Sequence, residues 1–143
     1  MIKVKIAETP IEKEQAFNVR RKVFVEEQGI PLHIELDEFD DSAVHFVAYE
    51  LEQPIAAARI RELEMGIGKI ERVCVLPEYR GQHVGLLMMH EMEQYAQKAG
   101  LFTLKLNAQS YAVPFYEKLD YSVNSPEFLD ADVPHRAMEK KII

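Results

Sequence analysis

IERVCVLPEYRGQHVGLLMMHEMEQYAQKAG, residues 70–100, reads as a strand, a turn and a helix. Residues 70–76 are rich in apolar and β-branched side chains and short enough for a buried strand. Pro77 ends it, having no N–H to give to a ladder. From Val84 the period changes. Val84, Leu87, Met88, Met92, Tyr95, Ala96 and Ala99 recur at helical spacing, which predicts one apolar helix face closed by Gly100 at C′. Between strand and helix, Arg80-Gly81-Gln82-His83-Val84-Gly85 aims backbone N–H groups outward at a helix N-terminus. Unpaired donors and the helix dipole act together on a phosphate, so this turn reads as an anion site. It lacks both the Gly-Lys-Ser/Thr of a Walker loop and the glycine set of a dinucleotide fold.

Working outward, Ile2, Val4 and Ile6 alternate with lysines, so residues 1–7 predict a half-buried strand. Thr9-Pro10-Ile11-Glu12 is a helix start: N-cap, proline at the first helical position, and the glutamate of a capping box. Phe17, Arg20, Arg21 and Phe24 share the following helical face, and Gly29 and Pro31 end it. Residues 32–42 are irregular and acidic through Glu35, Asp37, Glu38, Asp40 and Asp41. They read as a solvated loop or as an acidic lip that receives an amine. Residues 43–51 and 55–63 predict a hairpin joined through Glu52-Gln53-Pro54, with a second turn over 65–68. Residues 102–106 alternate as a strand, 111–119 form a short helix, and 121–123 and 137–143 are closing strands. No repeat or linker interrupts the chain, so residues 1–143 are expected to be one domain. The order β-α-(α)-β-β-β-α-β-α-β is an α/β layout, one mixed sheet with helices on its faces.

At 143 residues such a chain buries about 68–70% of its unfolded surface. There is no signal peptide and no apolar run long enough to span a bilayer. The single cysteine, Cys74, excludes an intrachain disulfide framework and suits a reducing cytoplasm. A net charge of −7 argues against nucleic-acid binding and tilts toward a cationic acceptor. His33 and His135 have no metal-ligand spacing with one another or with Cys74, so no metal is expected.

Four separated patches resemble one family. Val73-Cys74-Val75-Leu76-Pro77-Glu78-Tyr79-Arg80-Gly81 followed by Gly85 is similar to motif A of the GNAT acetyltransferases, Arg/Gln-x-x-Gly-x-Gly/Ala; His83 stands in place of its middle glycine. Asn107-Ala108-Gln109 and Phe115-Tyr116-Glu117-Lys118-Leu119-Asp120-Tyr121 are similar to motif B, with Asp120 in place of a glycine. Val23-Phe24-Val25-Glu26-Glu27-Gln28 and Val133-Pro134-His135 with Met138 resemble signatures of the ElaA-like branch. The resemblance implies a mostly antiparallel central sheet with helices on both faces, acetyl-CoA as co-substrate, and acetyl transfer to a primary amine. A homodimer is common in that superfamily.

The resemblance also assigns residues. Pantetheine is expected beside Val73 and Val75. The pyrophosphate is expected on the turn formed by Arg80, Gly81, Gln82, His83, Val84, Gly85 and Leu86. Asn107 and Gln109 flank the cofactor at the end of the next strand. Tyr116 matches the general acid that protonates the departing thiolate; a core tyrosine is the plainer reading of its helical spacing. An amine is mostly protonated near neutrality, at a pKa of about 10.4 for a lysine-like group, so a base or water relay is needed. Glu71 is the first candidate, since a position two residues before Val73 shares its strand face. His45 is the second, with an imidazole suited to base work. Cys74 beside a thioester suggests a covalent acetyl-enzyme, but its place on a buried strand favours packing. From a different class, a CoA-binding sensor or interaction module without turnover fits the same motifs.

Overall fold

The computed structural model describes residues 1–143. Antiparallel pairing joins β1 (Ile2–Ile6), β2 (Val44–Glu50), β3 (Gln53–Glu64) and β4 (Ile67–Val75). The next strand, β5 (Thr103–Gln109), runs parallel to β4, and β8 (Val133–Lys141) lies antiparallel beyond it. The spatial order is β1-β2-β3-β4-β5-β8-β6, where β6 is Ser122–Val123; β7 (Phe128–Asp130) also pairs with β8. A parallel neighbour requires a crossover, and α3 (Val84–Lys98) supplies it.

The sheet separates two apolar cores. On one face α3 buries Val84, Met88, Met89, Met92 and Ala96 over Ile60, Ile70, Leu104 and Leu106. On the other, α1 (Pro10–Arg20) buries Ala16 and Val19 against Val47, Ala57 and Cys74. The start of α1 is the predicted capping box, with Thr9 and Glu12 bonding each other's backbone N–H. Gly100 takes the left-handed conformation after α3, at φ 84°.

Several details depart from the sequence pattern. The first helix does not stop at its α segment but widens into a π-helical stretch, Arg21–Glu27, with Gln28 N–H reaching back to the Val23 carbonyl. The acidic segment folds as a short α2 (Leu32–Glu35) and a 3₁₀ turn (Glu38–Asp41). The hairpin turns at Leu51-Glu52, with Leu51 at φ 58°, leaving Pro54 inside β3 beside a register shift at Ala48/Tyr49. On α3, Met89 is buried, whereas Leu87 is 40% exposed, so the apolar stripe is rotated from the predicted one. The short helix predicted over 111–119 is a 3₁₀ turn (Ser110–Ala112) followed by α4 (Val113–Glu117).

Candidate active site

β4 and β5 pair only from Ile67 to Ile70 and from Thr103 to Leu106. Beyond that, residues 71–75 have no partner on the β5 side, and residues 107–109 of β5 pair only with β8. The two strands therefore part into a notch whose walls carry unpaired backbone donors and acceptors. A cavity of about 920 Å³ runs through it and is lined from both faces of the sheet. Such an edge accepts an extended ligand as an additional strand.

The notch has a local cause. Ala57 pairs with Cys74 but Arg59 pairs with Glu71, so β4 carries one extra residue between them. Arg72 is that irregularity, at φ 62°, a left-handed conformation that is strained for arginine. The bulge also corrects the expected side-chain parity. Glu71 does not share a face with Val73: Val73 packs toward the α3 core, whereas Glu71 lies with Arg59 and Cys74 on the α1 face.

At the N-terminus of α3, Gly81 at φ 78° and His83 at φ 65° curl the chain into a concave turn. A Cβ added at Gly81 would meet nothing within 4 Å, so its outer side is open. Gly85 has a different role. A Cβ there would stand 3.3 Å from the Phe115 ring, so the missing side chain lets that ring approach the first turn of α3. Arg80 is not a free cation: its Nε donates to the Val75 carbonyl at 2.9 Å, and its Nη atoms bond both oxygens of Glu27. Gln82 donates to the Glu78 carbonyl and is the one predicted cofactor residue that does not line the cavity. Asn107 turns its amide toward Lys69, 3.3 Å away. Gln109 makes a reciprocal amide pair with Gln28, at 2.8 and 3.4 Å.

Tyr116, on α4, is 8% exposed and lines the cavity. No protein group bonds its hydroxyl, which is nonetheless not sealed in the interior. Burial, with minor help from Tyr111 and Cys74, raises its pKa above the ordinary phenol value, so the hydroxyl keeps its proton through neutral and alkaline pH. The Asp120 turn that follows α4 forms without glycine, with Asp120 at φ 73° and Tyr121 N–H bonding the Tyr116 carbonyl.

The acidic segment is neither a solvated loop nor a free lip. Arg59 grips Asp37 and Asp40 with Nη1, at 2.7 and 2.8 Å. Arg20, fully buried, bonds Asp40 and Glu35. Arg72 bonds Asp37 and the carbonyls of Ile34 and Glu35. Burial raises the Asp40 carboxyl, but Arg20 and Arg59 outweigh it and hold it well below the usual carboxylate range. Glu71 is placed likewise: burial raises it, and Arg61, Arg59 and Lys69 bring it below its ordinary value. His45 is not a base at the site. It is buried off the cavity, its Nε2 donates to the Asp40 carbonyl, and burial and the two arginines lower its pKa. Cys74 is 6% exposed, and burial pushes its thiol up to about 12.

Of the wall residues, Arg72 was not singled out by pattern, Phe24 stood in a quoted patch without a site role, and Glu35 was read only as one acid of the 32–42 segment. Gln28 fell within a quoted patch, but nothing local in the sequence pairs it with Gln109, 81 residues away. No group of His, Cys, Asp and Glu suited to a metal ion is present, and no helix is long and apolar enough to cross a membrane.

Comparison with known proteins agrees with this geometry. The family model described as "Acetyltransferase (GNAT) domain" matches residues 10–142. The uncharacterized N-acetyltransferase YjcF of Bacillus subtilis is 44% identical over 140 residues, covering 97% of this chain and 99% of that one. An acyl-CoA N-acyltransferase structure from Pseudomonas aeruginosa is 26% identical, with a TM-score of 0.85 over 98% of each chain. Escherichia coli ElaA shares the fold at a TM-score of 0.88 and 22% identity, over 99% of this chain and all of its own. The split sheet, the concave turn and these likenesses agree: the chain belongs to the GNAT acetyltransferase family.

Proposed function

We propose that this enzyme transfers the acetyl group of acetyl-CoA directly to a primary amine, with Tyr116 protonating the departing thiolate. The observation that carries the reading is the Tyr116 hydroxyl, on the cavity wall, without a protein partner and with its proton firmly held. The site residues fit the co-substrate. Pantetheine would lie along the open edge at Val73 and Val75, between them and Asn107 and Gln109. The pyrophosphate would sit on the backbone N–H groups of residues 80–86, where the α3 dipole adds to them. Arg80 would act chiefly by holding the turn against the π-helical stretch through Glu27.

In the transfer, the nitrogen lone pair forms the C–N bond to the thioester carbonyl carbon and the C–S bond breaks. The sulfur takes the Tyr116 proton while the nitrogen releases one to a relay water, and solvent restores the phenol, so the exchange balances. A backbone N–H on the thioester oxygen would contribute about 3–4 kcal/mol in the transition state. Placement of amine and thioester in one notch would contribute about 7–11 kcal/mol more. Glu71, held low by its arginines, is suited to orienting a relay water more than to keeping a proton. The protonated, packed Cys74 supports direct transfer over an acetyl-enzyme. The reading takes residues 1–143 as one catalytic domain working in the cytoplasm, where a lone reduced cysteine is at home, with a second copy as a candidate partner.

Calorimetric titration with acetyl-CoA and a free-thiol release assay over an amine panel, with mass detection of products, test the reading. Saturable binding with acetylated product is expected. Binding without CoA release from any amine would make the protein a sensor.

A further inference from the structure

Glu35 is the acid of the 32–42 segment whose carboxylate is only half matched. It ends α2 and is 2% exposed. Its Oε2 accepts from Arg20 Nε and Nη2 at 3.0 and 2.8 Å and stands 2.9 Å from Arg72 Nε. Its Oε1 is also buried and has no partner. One other buried side-chain atom shares that condition, Nδ1 of His45, and His45 lies off the cavity. Glu35 lies on the cavity wall.

Its surroundings narrow what can complete it. Asp37, Asp40 and Glu71 already have arginine partners on both sides of it. The cavity wall beside it carries the Arg72 guanidinium and an apolar stretch, Val23, Phe24, Ile30 and Ile34, with the neutral Cys74 thiol. A buried carboxylate oxygen without a protein donor is unfavourable, and a group that enters the cavity with N–H donors can supply one.

We infer that Glu35 Oε1 receives the ammonium group of the acceptor, and that the acceptor is a monocationic primary amine on an apolar body. The inference rests on the acetyltransferase reading above. An ammonium carries donors and no acceptor, which matches a lone carboxylate oxygen, and a charge-assisted bond is stronger than a neutral one. One free oxygen holds one cation. Arg20 and Arg72, held on the same carboxylate, oppose a second positive charge, and Val23, Phe24, Ile30 and Ile34 take hydrocarbon in place of further ammonium groups. Polyamines and other polycations are therefore disfavoured.

The test uses the full chain with 2-phenylethylamine as probe and spermidine as polycationic comparison. Wild type should prefer 2-phenylethylamine by about tenfold or more in kcat/KM. Glu35→Gln should raise the KM for that amine about tenfold, with kcat changed by less than about threefold and acetyl-CoA affinity unchanged by calorimetry. Some loss of thermal stability is expected in either case, since Arg20 and Arg72 lose charge from their partner; a merely structural role would lower kcat without a selective rise in amine KM. An unchanged amine KM in the folded variant, or a preference for spermidine, overturns the inference alone. Failure of the wild type to bind acetyl-CoA overturns the acetyltransferase reading and this inference with it. Should Glu35→Gln not fold, a crystal structure of wild type with CoA and 2-phenylethylamine decides. The amine nitrogen within about 3.2 Å of Oε1 supports the inference. A buried water there, with the amine elsewhere, refutes it.

Discussion

At the scale of single residues, Tyr116 carries the sharpest expectation. In the ground state a thioester sulfur is a poor acceptor, so under the proposed role the tyrosine's hydrogen bond would strengthen mainly as the thiolate forms. That raises rate rather than affinity. Tyr116→Phe keeps the ring packed against Phe115 and Tyr121 and removes only the donor. The variant should lose about 10²–10⁴-fold in kcat with acetyl-CoA affinity nearly unchanged. Steady-state kinetics beside calorimetry measure both, and full activity would return Tyr116 to the core. His83 gives a contrasting case. It holds φ 65° at the helix N-cap without a capping bond from its side chain. Glycine relieves that strain, so His83→Gly should raise thermal stability slightly, by about 1 kcal/mol or less, and bind CoA as well or better. A large loss of affinity would mean that the imidazole itself contacts phosphate. Both positions were legible from sequence because motif residues are read one at a time. Asp120, standing where a glycine is usual, was legible as a departure; that an aspartate would adopt φ 73° there was not.

At the scale of elements, what the sequence hid was contact between distant segments. Thr9 and Glu12 are three residues apart and their capping box was visible; Arg59 and Asp37 are 22 apart and their bond was not. An acidic segment reads as solvated when the arginines that neutralise it lie on other strands. The β4 bulge was hidden for a related reason: alternation assumes a regular strand, and one extra residue at Arg72 moved Glu71 to the other face. Glu71→Gln should therefore lower the rate near neutral pH, by about tenfold if the carboxylate only orients a water, and recover partly at high pH where the amine is already neutral. A pH–rate profile identical to wild type would remove Glu71 from the reaction. At the other wall, Gly85→Val should displace Phe115 from its seat on α3 and weaken acetyl-CoA binding about tenfold while the fold survives. Unchanged affinity, read by calorimetry on a folded variant, would detach this turn from the cofactor.

At the scale of the whole molecule, the buried ion network is the joint between sheet and site. Arg20 comes from α1, Arg59 from β3 and Arg72 from β4, and together they fasten the 32–42 segment over the α1 face. Removing one partner leaves charges buried and unmatched, which is more damaging than the pairing is stabilising. The network also ties stability to pH. Asp37, Asp40 and Glu71 all have folded pKa values below their ordinary ones. Their contribution is present above about pH 4.5 and is lost as pH falls through the folded values. His45 acts earlier. Its Nε2 donates to the Asp40 carbonyl, Arg20 and Arg59 face it with positive charge, and Phe17 packs edge-on at 5.1 Å. Burial and the two arginines outweigh the Asp40 carbonyl and carboxylate, so its folded pKa lies below the ordinary imidazole value. The unfolded chain then takes up a proton first as pH falls, and stability must decline from about pH 6.5 until the folded His45 also protonates. The slope from one such group is at most about 1.4 kcal/mol per pH unit. Urea denaturation followed from pH 8 to 4 should show a plateau near neutrality, a shallow loss below about 6.5, and a steeper one below about 4.5. His45→Gln should be less stable at pH 8 yet flatter through the upper step, because the group that titrates there is gone. If variant and wild type lose stability in parallel between pH 7 and 5, His45 is not the group that loosens the segment, and the early titration belongs elsewhere in the chain.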